Sequence, residues 1–477
     1  MSAGVGVTQE GWGNSTGPAE PDSRLRLSLP DWRWSVAVLA IAVFAVVFVS
    51  ATQARPAYDA MGFLVWGRQS LHLNLNLNGA PSWKPLVLVA TLPYALAGLR
   101  LQEWLWTFTS VASAGAAVLL AARLAYRLSP VVPGRRWARL VGALGAGYGV
   151  ATMGDFMHLT LIANSDWLIV ALALGAIDCH VCRHPRAALA LLWLVALGRP
   201  EAWPFVLIYA LWLGRDRPQA RWQAAIAVLL IPVIWVLVPA LTATNWMQPS
   251  SLAMGQATAI HGDKLLGVAN RLRTLTVLPI QVALLISLVA GAIRRDRNVA
   301  YLTLLALAWA AVEVAFALHG YSAVQRYLIE PAAVLMIVFG IGVATVLSRG
   351  SGPLRRLGLP AVVGLIVWLV PYNTATLRLD HGLISQAHTD ARVLDRLAAA
   401  ITANGGPARL LACGRPVTTL TYQSTLAWEF GLNVGSVGYG PRTAFRGRDA
   451  VVLFEPHGDG WRIRAIRAAG CARVGST

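Results

Sequence analysis

Apolar segments long enough to cross a membrane recur along this chain, and they constrain its fold more than any other feature. A helix needs about 20 predominantly apolar residues to cross the hydrocarbon core of a bilayer. Such segments lie at Trp34–Thr52 and near residues 104–122, 140–160, 167–182, 187–213, 222–241, 275–293, 299–318, 330–348 and 358–372. The 187–213 segment contains a polar turn at residues 198–201 and is interpreted as two spans. The pattern predicts an α-helical polytopic membrane protein with about eleven transmembrane helices.

The composition excludes most classes of soluble protein. Only 13% of the 477 residues are charged and 56% are hydrophobic, whereas a soluble globular domain carries about 25% charged residues. A soluble enzyme, a coiled coil, a disordered chain and a disulfide-rich secreted domain are therefore excluded. The net charge of +18 comes from 38 arginines and two lysines, spread in short clusters between the apolar segments. Such clusters are typical of loops that orient a membrane protein, and we expect no nucleic-acid partner.

The positions of arginine and lysine predict which loops face the cytoplasm. With the N-terminus inside, the inner loops carry 19 cations and the outer loops carry nine, as the positive-inside rule requires. This count treats Pro85–Leu99, a segment of only 15 residues, as an interfacial or re-entrant helix within a large first external loop, residues 53–103. Eleven spans then place the C-terminus outside, in a multi-pass protein of the plasma membrane.

Three regions follow from these assignments. Residues 1–33 are rich in Gly, Ser and Pro and are predicted to form a disordered cytoplasmic tail. Residues 34–372 form the membrane domain. Residues 373–477 contain no spanning segment; strand-like stretches at 409–412, 434–437 and 450–454 are interspersed with helical periodicity near 388–402 and 418–430. This change predicts a small external α/β domain.

The four cysteines fall into two pairs. Cys413 and Cys471 lie in the predicted external domain, where an oxidising environment favours a disulfide between them. Cys179 and Cys182 lie at the inner end of a predicted span and are expected to be reduced. Their Cys-x-x-Cys spacing, with histidines close by, is also found in metal sites, but no second ligand pair follows. We therefore expect no metal ion at this position.

Polar and charged residues occur at several outer ends of the predicted spans, and these are the candidate functional residues. Asp59 follows the first span. Lys84 and Pro85 begin a short helix, whose N-terminus would stabilise an anion. Arg199 and Glu201 lie between two spans, where charges are costly and usually functional. The candidates are Tyr58, Asp59, Trp83, Lys84, Asp166, Arg199, Glu201, Gln325, Arg326 and Tyr327. An acid near several cations fits a reaction in which a hydroxyl loses its proton and a phosphate departs.

Each candidate also has a simpler interpretation. Asp59 can be a loop acid at the interface, and Lys84 can extend its ammonium to lipid headgroups. Asp166 can be an ordinary N-cap residue. Arg199 and Glu201 can pair with each other. The predicted topology nevertheless brings all of these segments to one side of the membrane, which favours a common site.

This layout resembles the GT-C superfamily of polytopic glycosyltransferases, which use lipid-phosphate sugars. Members carry an acid just after the first span, two short interfacial helices in the first external loop, and a second acid in the next external loop. Asp59, the 83–86 segment Trp-Lys-Pro-Leu and Asp166 match this pattern in order and side. Residues 198–201 and 325–327 resemble polar turns of actinobacterial members. The likeness covers roughly residues 34–350; Ala60 stands where many relatives have a second acid.

The resemblance implies a glycosyltransferase, of the mannosyl- or arabinofuranosyltransferase type, that moves a sugar from a polyprenyl-phosphate donor to an acceptor hydroxyl on the extracytoplasmic face. The acceptor would be a glycan, a lipid or a protein. Asp59 and Asp166 would be catalytic, and Lys84, Arg199 and Arg326 would bind the donor phosphate. The implied substrate contacts are Tyr58, Trp83, Glu201, Gln325 and Tyr327. No cofactor is expected, and a divalent metal ion stays an open alternative.

Two other functions stay open on the sequence alone. A lipid or polysaccharide transporter or flippase would also place charged groups in spans, although such proteins usually show internal repeats. A non-catalytic assembly subunit would need no converging acid and cations. For the transferase we expect Asp59, Lys84, Asp166 and Arg326 to line one outward-facing cavity that opens sideways to lipid.

Overall fold

A computed structural model describes residues 32–79, 81–247, 251, 253–254, 258–348, 354–440, 449–458, 460–468 and 471. The predicted N-terminal tail lies almost entirely outside the described residues. The helices up to the outer domain are α1 (Trp32–Thr52), α2 (Tyr58–Leu71), α3 (Pro85–Ala95), α4 (Leu99–Leu128), α5 (Arg136–Ala151), α6 (Phe156–Leu161), α7 (Asp166–Val181), α8 (Pro185–Gly198), α9 (Trp203–Asp216), α10 (Arg221–Thr242), α11 (Lys264–Thr274), α12 (Leu278–Arg294), α13 (Arg297–Leu318), α14 (Ile329–Ser348) and α15 (Leu354–Ala403).

Ten of the eleven predicted spans fall on a helix each, whereas the span predicted at residues 140–160 is divided between α5 and α6 by a turn at residues 152–155. In the described parts of the chain, six helices are long and apolar enough to cross a membrane by themselves, and the bent pair α11–α12 would be a seventh. The other four predicted spans fall wholly or partly on shorter helices of 14–16 residues. A 14-residue helix is about 21 Å long, less than the roughly 30 Å hydrocarbon core. The polar turn between α8 and α9 therefore need not reach the membrane surface.

Helix α14 lies at the centre of the bundle and is buried along nearly its whole length. It packs most extensively against α5 and also contacts α4, α7, α12 and α13. Glycines permit the α5–α14 approach, because a Cβ atom at Gly142 would collide with the carbonyl oxygen of Gly340. Small residues at helix contacts are typical of membrane bundles, where close backbone approach replaces hydrophobic exclusion of water.

The first external loop contains two short helices, as its sequence predicts. Helix α2 is buried on all sides along residues 60–67, whereas α3 has only 11 residues and begins with Pro85. An aromatic cluster joins them: the Trp66 and Trp83 rings lie 5.4 Å apart, and Phe63 contacts Trp106 of α4 at 6.1 Å. This packing fixes the residue before α3, Lys84, relative to the first turn of α2.

Helix α15 has 50 residues and continues from the last predicted span into the outer domain. The domain boundary predicted between residues 372 and 373 thus falls inside one helix. After it come α16 (Gly406–Cys413), β1 (Arg415–Thr418), α17 (Gln423–Phe430), β2 (Gly438–Tyr439), β3 (Val451–His457) and β4 (Gly460–Ile466). The sheet has the order β2-β1-β3-β4; β1 is parallel to β2 and β3, and β3 and β4 are antiparallel.

Two strand predictions in this region are wrong. Residues 409–412 belong to α16, which Pro407 begins, and residues 434–436 form a 3₁₀ turn. Both stretches are short apolar runs, for which periodicity cannot separate strand from helix. The 450–454 prediction is confirmed by β3, and the helical prediction for 388–402 is confirmed by α15.

The outer domain docks on α2. Arg68 donates a hydrogen bond to the Trp428 carbonyl at 3.2 Å, and its guanidinium lies 4.9 Å from the Trp428 ring centre. Gln69 bonds Asn433. Within the domain, the structure joins Cys413, at the end of α16, to Cys471 in a disulfide with 5.9 Å between the Cα atoms. The first set of contacts holds α17 close to α2, and the disulfide holds Cys471 close to α16.

Candidate active site

Asp59 and Arg326 form an ion pair at the N-terminal ends of α2 and α14. Asp59 lies in the first turn of α2, and Arg326 lies in a 3₁₀ turn, Gln325–Leu328, that leads into α14. The Arg326 Nη1 donates to Asp59 Oδ2 at 3.0 Å. The two side chains keep 27% and 23% of their exposure, so that solvent and ligands reach this pair.

Arg199 is enclosed by partners. Its Nη2 donates to Asp166, its Nε lies 3.3 Å from Glu330 Oε1, and its Nη2 also lies 3.2 Å from the Arg326 carbonyl oxygen. The guanidinium lies 4.2 Å from the centre of the Tyr327 ring. The side chains of Arg199, Asp166 and Glu330 are no more than 2% exposed. Arg199 therefore ties α7, α14 and the 325–328 turn together.

Lys84 lies beside this network without a carboxylate partner. It precedes α3, is 7% exposed, and donates to Ser165 Oγ at 3.5 Å; its ammonium also lies 5.6 Å from the Phe63 ring centre. No salt bridge joins it to an acid within the described chain. Burial lowers the pKa of Lys84 to about 8, with Asp166 opposing this shift and the two nearby arginines adding to it. A buried cation without a counter-ion is suited to binding an anion.

The acids nearby are more numerous than the cations they face. The simpler interpretation, in which Arg199 pairs with Glu201, does not hold, since Arg199 bonds Asp166 and Glu330 instead. Glu201 is 4% exposed and Glu313 of α13 is fully buried. Oε2 of Glu201 and both carboxyl oxygens of Glu313 have no hydrogen-bond partner. Burial of a carboxylate costs much free energy unless it is paired or protonated.

The remaining candidates surround this cluster in different ways. Tyr58 begins α2 and lies 3.5 Å, hydroxyl to Oε1, from Gln423 of α17; burial raises its pKa. Tyr327 lies under Arg199, and Gln325 opens the turn that carries Arg326. Trp83 is 3% exposed and packs in the aromatic cluster of the first loop. Ser165 and Asp166 do not cap α7 with their side chains but contact Lys84 and Arg199.

Glu330 is the functional residue that the sequence analysis missed. It lies four residues after Arg326, in the first turn of α14. The available signal was an acid at the start of a strongly apolar span, a position where an ionised side chain needs a partner. Glu313 is likewise an acid within an apolar span, α13. Unlike Glu330, it forms no salt bridge or hydrogen bond through its carboxyl oxygens among the described residues.

An apolar cavity of about 990 Å³ extends to Glu330 of the charged cluster. It lies between α7, α8, α9, α13 and α14, with Trp309 and Glu330 in its wall and His180, Arg183 and Arg217 also lining it. Asp59, Lys84, Asp166 and Arg326, which we expected to line one outward-facing cavity, are not among the lining residues. The cavity thus meets the charged cluster through Glu330.

The cysteines of α7 show a different environment from a metal site. Cys179 and Cys182 are free thiols, and the Cys182 Sγ accepts a hydrogen bond from Arg127 at 2.6 Å. In the part of the chain that the structure describes, no three His, Cys, Asp or Glu side chains are grouped so that they could hold a metal ion. Beside these cysteines, Arg123 forms a salt bridge with Asp178 at 2.9 Å.

The helical bundle, the short helices α2 and α3 and the small C-terminal sheet define a membrane protein with a GT-C-like fold. Two crystal structures of ArnT from Cupriavidus metallidurans share this fold, one in the apo state and one bound to undecaprenyl phosphate. Their TM-scores are 0.54 and 0.53; each is 13% identical to this chain, and the match covers 92% of this chain and 99% of ArnT. No protein-family model and no curated protein matches the sequence.

Proposed function

We propose that this protein is a glycosyltransferase that takes a sugar from a polyprenyl-phosphate donor and transfers it to an acceptor hydroxyl. The observation that carries this proposal is Lys84, a buried cation without a carboxylate partner that lies beside Asp166 and Arg326. A phosphate at Lys84 would supply the missing negative charge. The ArnT structure with bound undecaprenyl phosphate supports a polyprenyl phosphate as the lipid.

The reaction needs a base and a stabilised leaving group. The acceptor oxygen attacks the anomeric carbon, its proton passes to a carboxylate, and the bond between that carbon and the phosphate oxygen breaks with its electron pair staying on the phosphate. We assign the base to Asp59, which is partly exposed and lies in the first turn of α2. Direct attack inverts the anomeric centre. The departing phosphate gains negative charge, which cations held at the site stabilise.

The three cations have different tasks in this scheme. Lys84 and Arg326 are assigned to the phosphate, since one has no acidic partner and the other is partly exposed. Arg199 has Nε and Nη2 occupied by Glu330, Asp166 and a main-chain oxygen. We therefore assign Arg199 chiefly to holding the Arg326 turn in place. Asp166 and Glu201 orient the cations or contact the sugar.

The proposed location is the extracytoplasmic face of the plasma membrane. The 19-to-9 distribution of cations supports an inner N-terminus and an outer C-terminal domain. Mannose and arabinofuranose are the proposed sugars, and a cell-envelope glycan, lipid or protein is the proposed acceptor. Cysteine-accessibility labelling tests the orientation: position 136 should react from the cytoplasm and position 430 from outside.

Donor consumption by purified protein tests the activity. The protein in detergent or nanodiscs is incubated with a panel of polyprenyl-phosphate sugars, with and without added divalent metal ions, and release of polyprenyl phosphate is followed. The chain contains two lysines, which provides a matched control. Lys84→Ala should abolish most of the release. Lys264→Ala should not, since the Lys264 ammonium donates a hydrogen bond to the Ile260 carbonyl and lies outside the charged cluster. Equal rates in both variants would contradict the proposed phosphate site.

A further inference from the structure

The cluster contains one ion pair that can change partners. The side chains of Asp59 and Arg326 keep 23% and 27% exposure, whereas the partners of Arg199 are sealed at 2% or less. Water and a ligand reach the first pair and not the second. Solvent competes for the charges of a partly exposed ion pair, which therefore contributes less to stability than a buried one. Separation of Asp59 from Arg326 thus costs the fold less than separation of Arg199 from its partners.

Two of the three cations already have carboxylate partners in the absence of a ligand. Lys84, Arg199 and Arg326 face three carboxylates, Asp59, Asp166 and Glu330, and two of the cations are already paired with them. A phosphate that binds Lys84 and reaches Arg326 must therefore meet the Asp59 carboxylate on the same guanidinium. Two anions side by side on one guanidinium repel each other.

We propose that Asp59 occupies the place of the donor phosphate on Arg326 in the empty enzyme, and that the phosphate displaces it. This inference rests on the proposed function. The displaced carboxylate is then free to accept the proton of the acceptor hydroxyl. Arg326 has an anionic partner before and after the exchange, so that its positive charge stays neutralised. The base is released only when the donor is bound, and the donor therefore binds before the acceptor.

Binding of polyprenyl phosphate, without a sugar, tests this exchange apart from catalysis. In Asp59→Asn the internal competitor is lost while the side-chain shape is kept, and we expect about tenfold tighter binding than in the wild type. The control is Asp395→Asn, which removes one carboxylate from another outer ion pair, that with Arg55 at 2.8 Å. It should leave the dissociation constant unchanged.

A double-mutant cycle separates displacement from general charge repulsion. In an Arg326→Gln background, binding is weaker, and Asp59→Asn should now change it by less than about twofold, because the two anions no longer compete for a guanidinium. If the tenfold gain persists in that background, Asp59 acts by repulsion through space and the exchange is wrong. If Asp59→Asn leaves binding unchanged or weakens it, the exchange is likewise wrong.

A measurement on the wild-type protein covers the case in which a variant does not fold. Carboxyl groups are labelled with an amine and a carbodiimide, and Asp59 is quantified by mass spectrometry with and without polyprenyl phosphate. Release from Arg326 should increase Asp59 labelling severalfold, whereas ordinary shielding by a ligand would decrease it and overturn the inference. Failure of the wild type to bind polyprenyl phosphate at all would overturn the proposed function together with the exchange.

Discussion

Arg199 and Arg326 lie next to each other in the charged cluster, but their surroundings differ. Arg199 is 2% exposed, contacts two carboxylates and a main-chain oxygen, and stacks on Tyr327. Arg326 is 27% exposed and has a single carboxylate partner, Asp59. Both are cations beside buried Lys84. The difference shows that one positive charge serves the framework of the site and the other is available to a ligand.

The two arginines are also connected, because Arg199 holds the main-chain oxygen of Arg326 at 3.2 Å. A guanidinium has five N–H donors in a planar arrangement, which suits several fixed partners at once. Removing one member of such a buried network leaves uncompensated charge and costs far more than the loss of an exposed pair. Substitution of Arg199 should therefore mainly lower the stability of the protein, whereas substitution of Arg326 should mainly lower its activity.

The largest expected effect is on turnover in Asp59→Asn. An amide cannot accept the acceptor's proton, and the loss of a general base typically costs 10²–10⁴-fold. We expect kcat to fall by about that factor, while thermal unfolding in detergent stays near that of the wild type because the Arg326 pair is partly exposed. Near-normal turnover would transfer the role of base to Asp166 or Glu201.

Arg199→Ala should affect folding more than any other variant of the cluster. It would leave Asp166 and Glu330 buried without their cation, and breaking a buried pair costs about 3–5 kcal/mol. The measurement is thermal unfolding together with the yield of monodisperse protein. Arg326→Ala is the matched variant and should lose at most about 1 kcal/mol, as exposed pairs do. Equal losses would show that the two arginines have equivalent structural roles.

Arg326→Ala should instead act on the chemical step. A preorganised group that stabilises developing charge is worth about 10² in kcat, and a second negative charge develops on the phosphate as the sugar leaves. Arg326→Lys should recover only part of the rate, because an ammonium cannot reproduce the planar guanidinium. Steady-state kinetics decide the matter: an increase in KM alone would assign Arg326 to docking of the donor.

The smallest expected effect is a pH dependence that originates at Lys84. Its pKa is lowered to about 8, chiefly by burial, and the ammonium is present only below that value. The ratio kcat/KM reports ionisation of the free enzyme, so it should fall about tenfold per pH unit above pH 8. Lys84→Arg keeps its charge at high pH and should abolish the decline. An identical decline in that variant would assign it to another group.

Much of the site's framework was predictable because it depends on local signals. The acid after the first span and the Lys-Pro pair define the starts of α2 and α3, and both helices begin at these positions. The pairing of Arg199 was not predictable. Its partner Glu330 lies 131 residues further along the chain, and the charges come together because α7 packs against both α8 and α14.

The region from residue 373 onwards contains elements that sequence patterns did not predict. The stretch from residue 373 to 403 is polar enough to end a membrane span, yet it continues the same helix. A change from lipid to water alters which residues a helix exposes without ending it. The sheet was harder to predict because its strands are short: β2 has two residues and β1 has four.

The long helix α15 also relates the segment before α2 to the thickness of the bilayer. Fifty residues make a helix of about 75 Å at 1.5 Å per residue, and the membrane accounts for about 30 Å of that length. Its outer part bonds Arg55 through Asp395 and Trp461 through the Val393 carbonyl, at 2.8 Å each. Helices accommodate hydrophobic mismatch by tilting. A tilt of α15 would thus reach Arg55, in the segment that leads from α1 into α2.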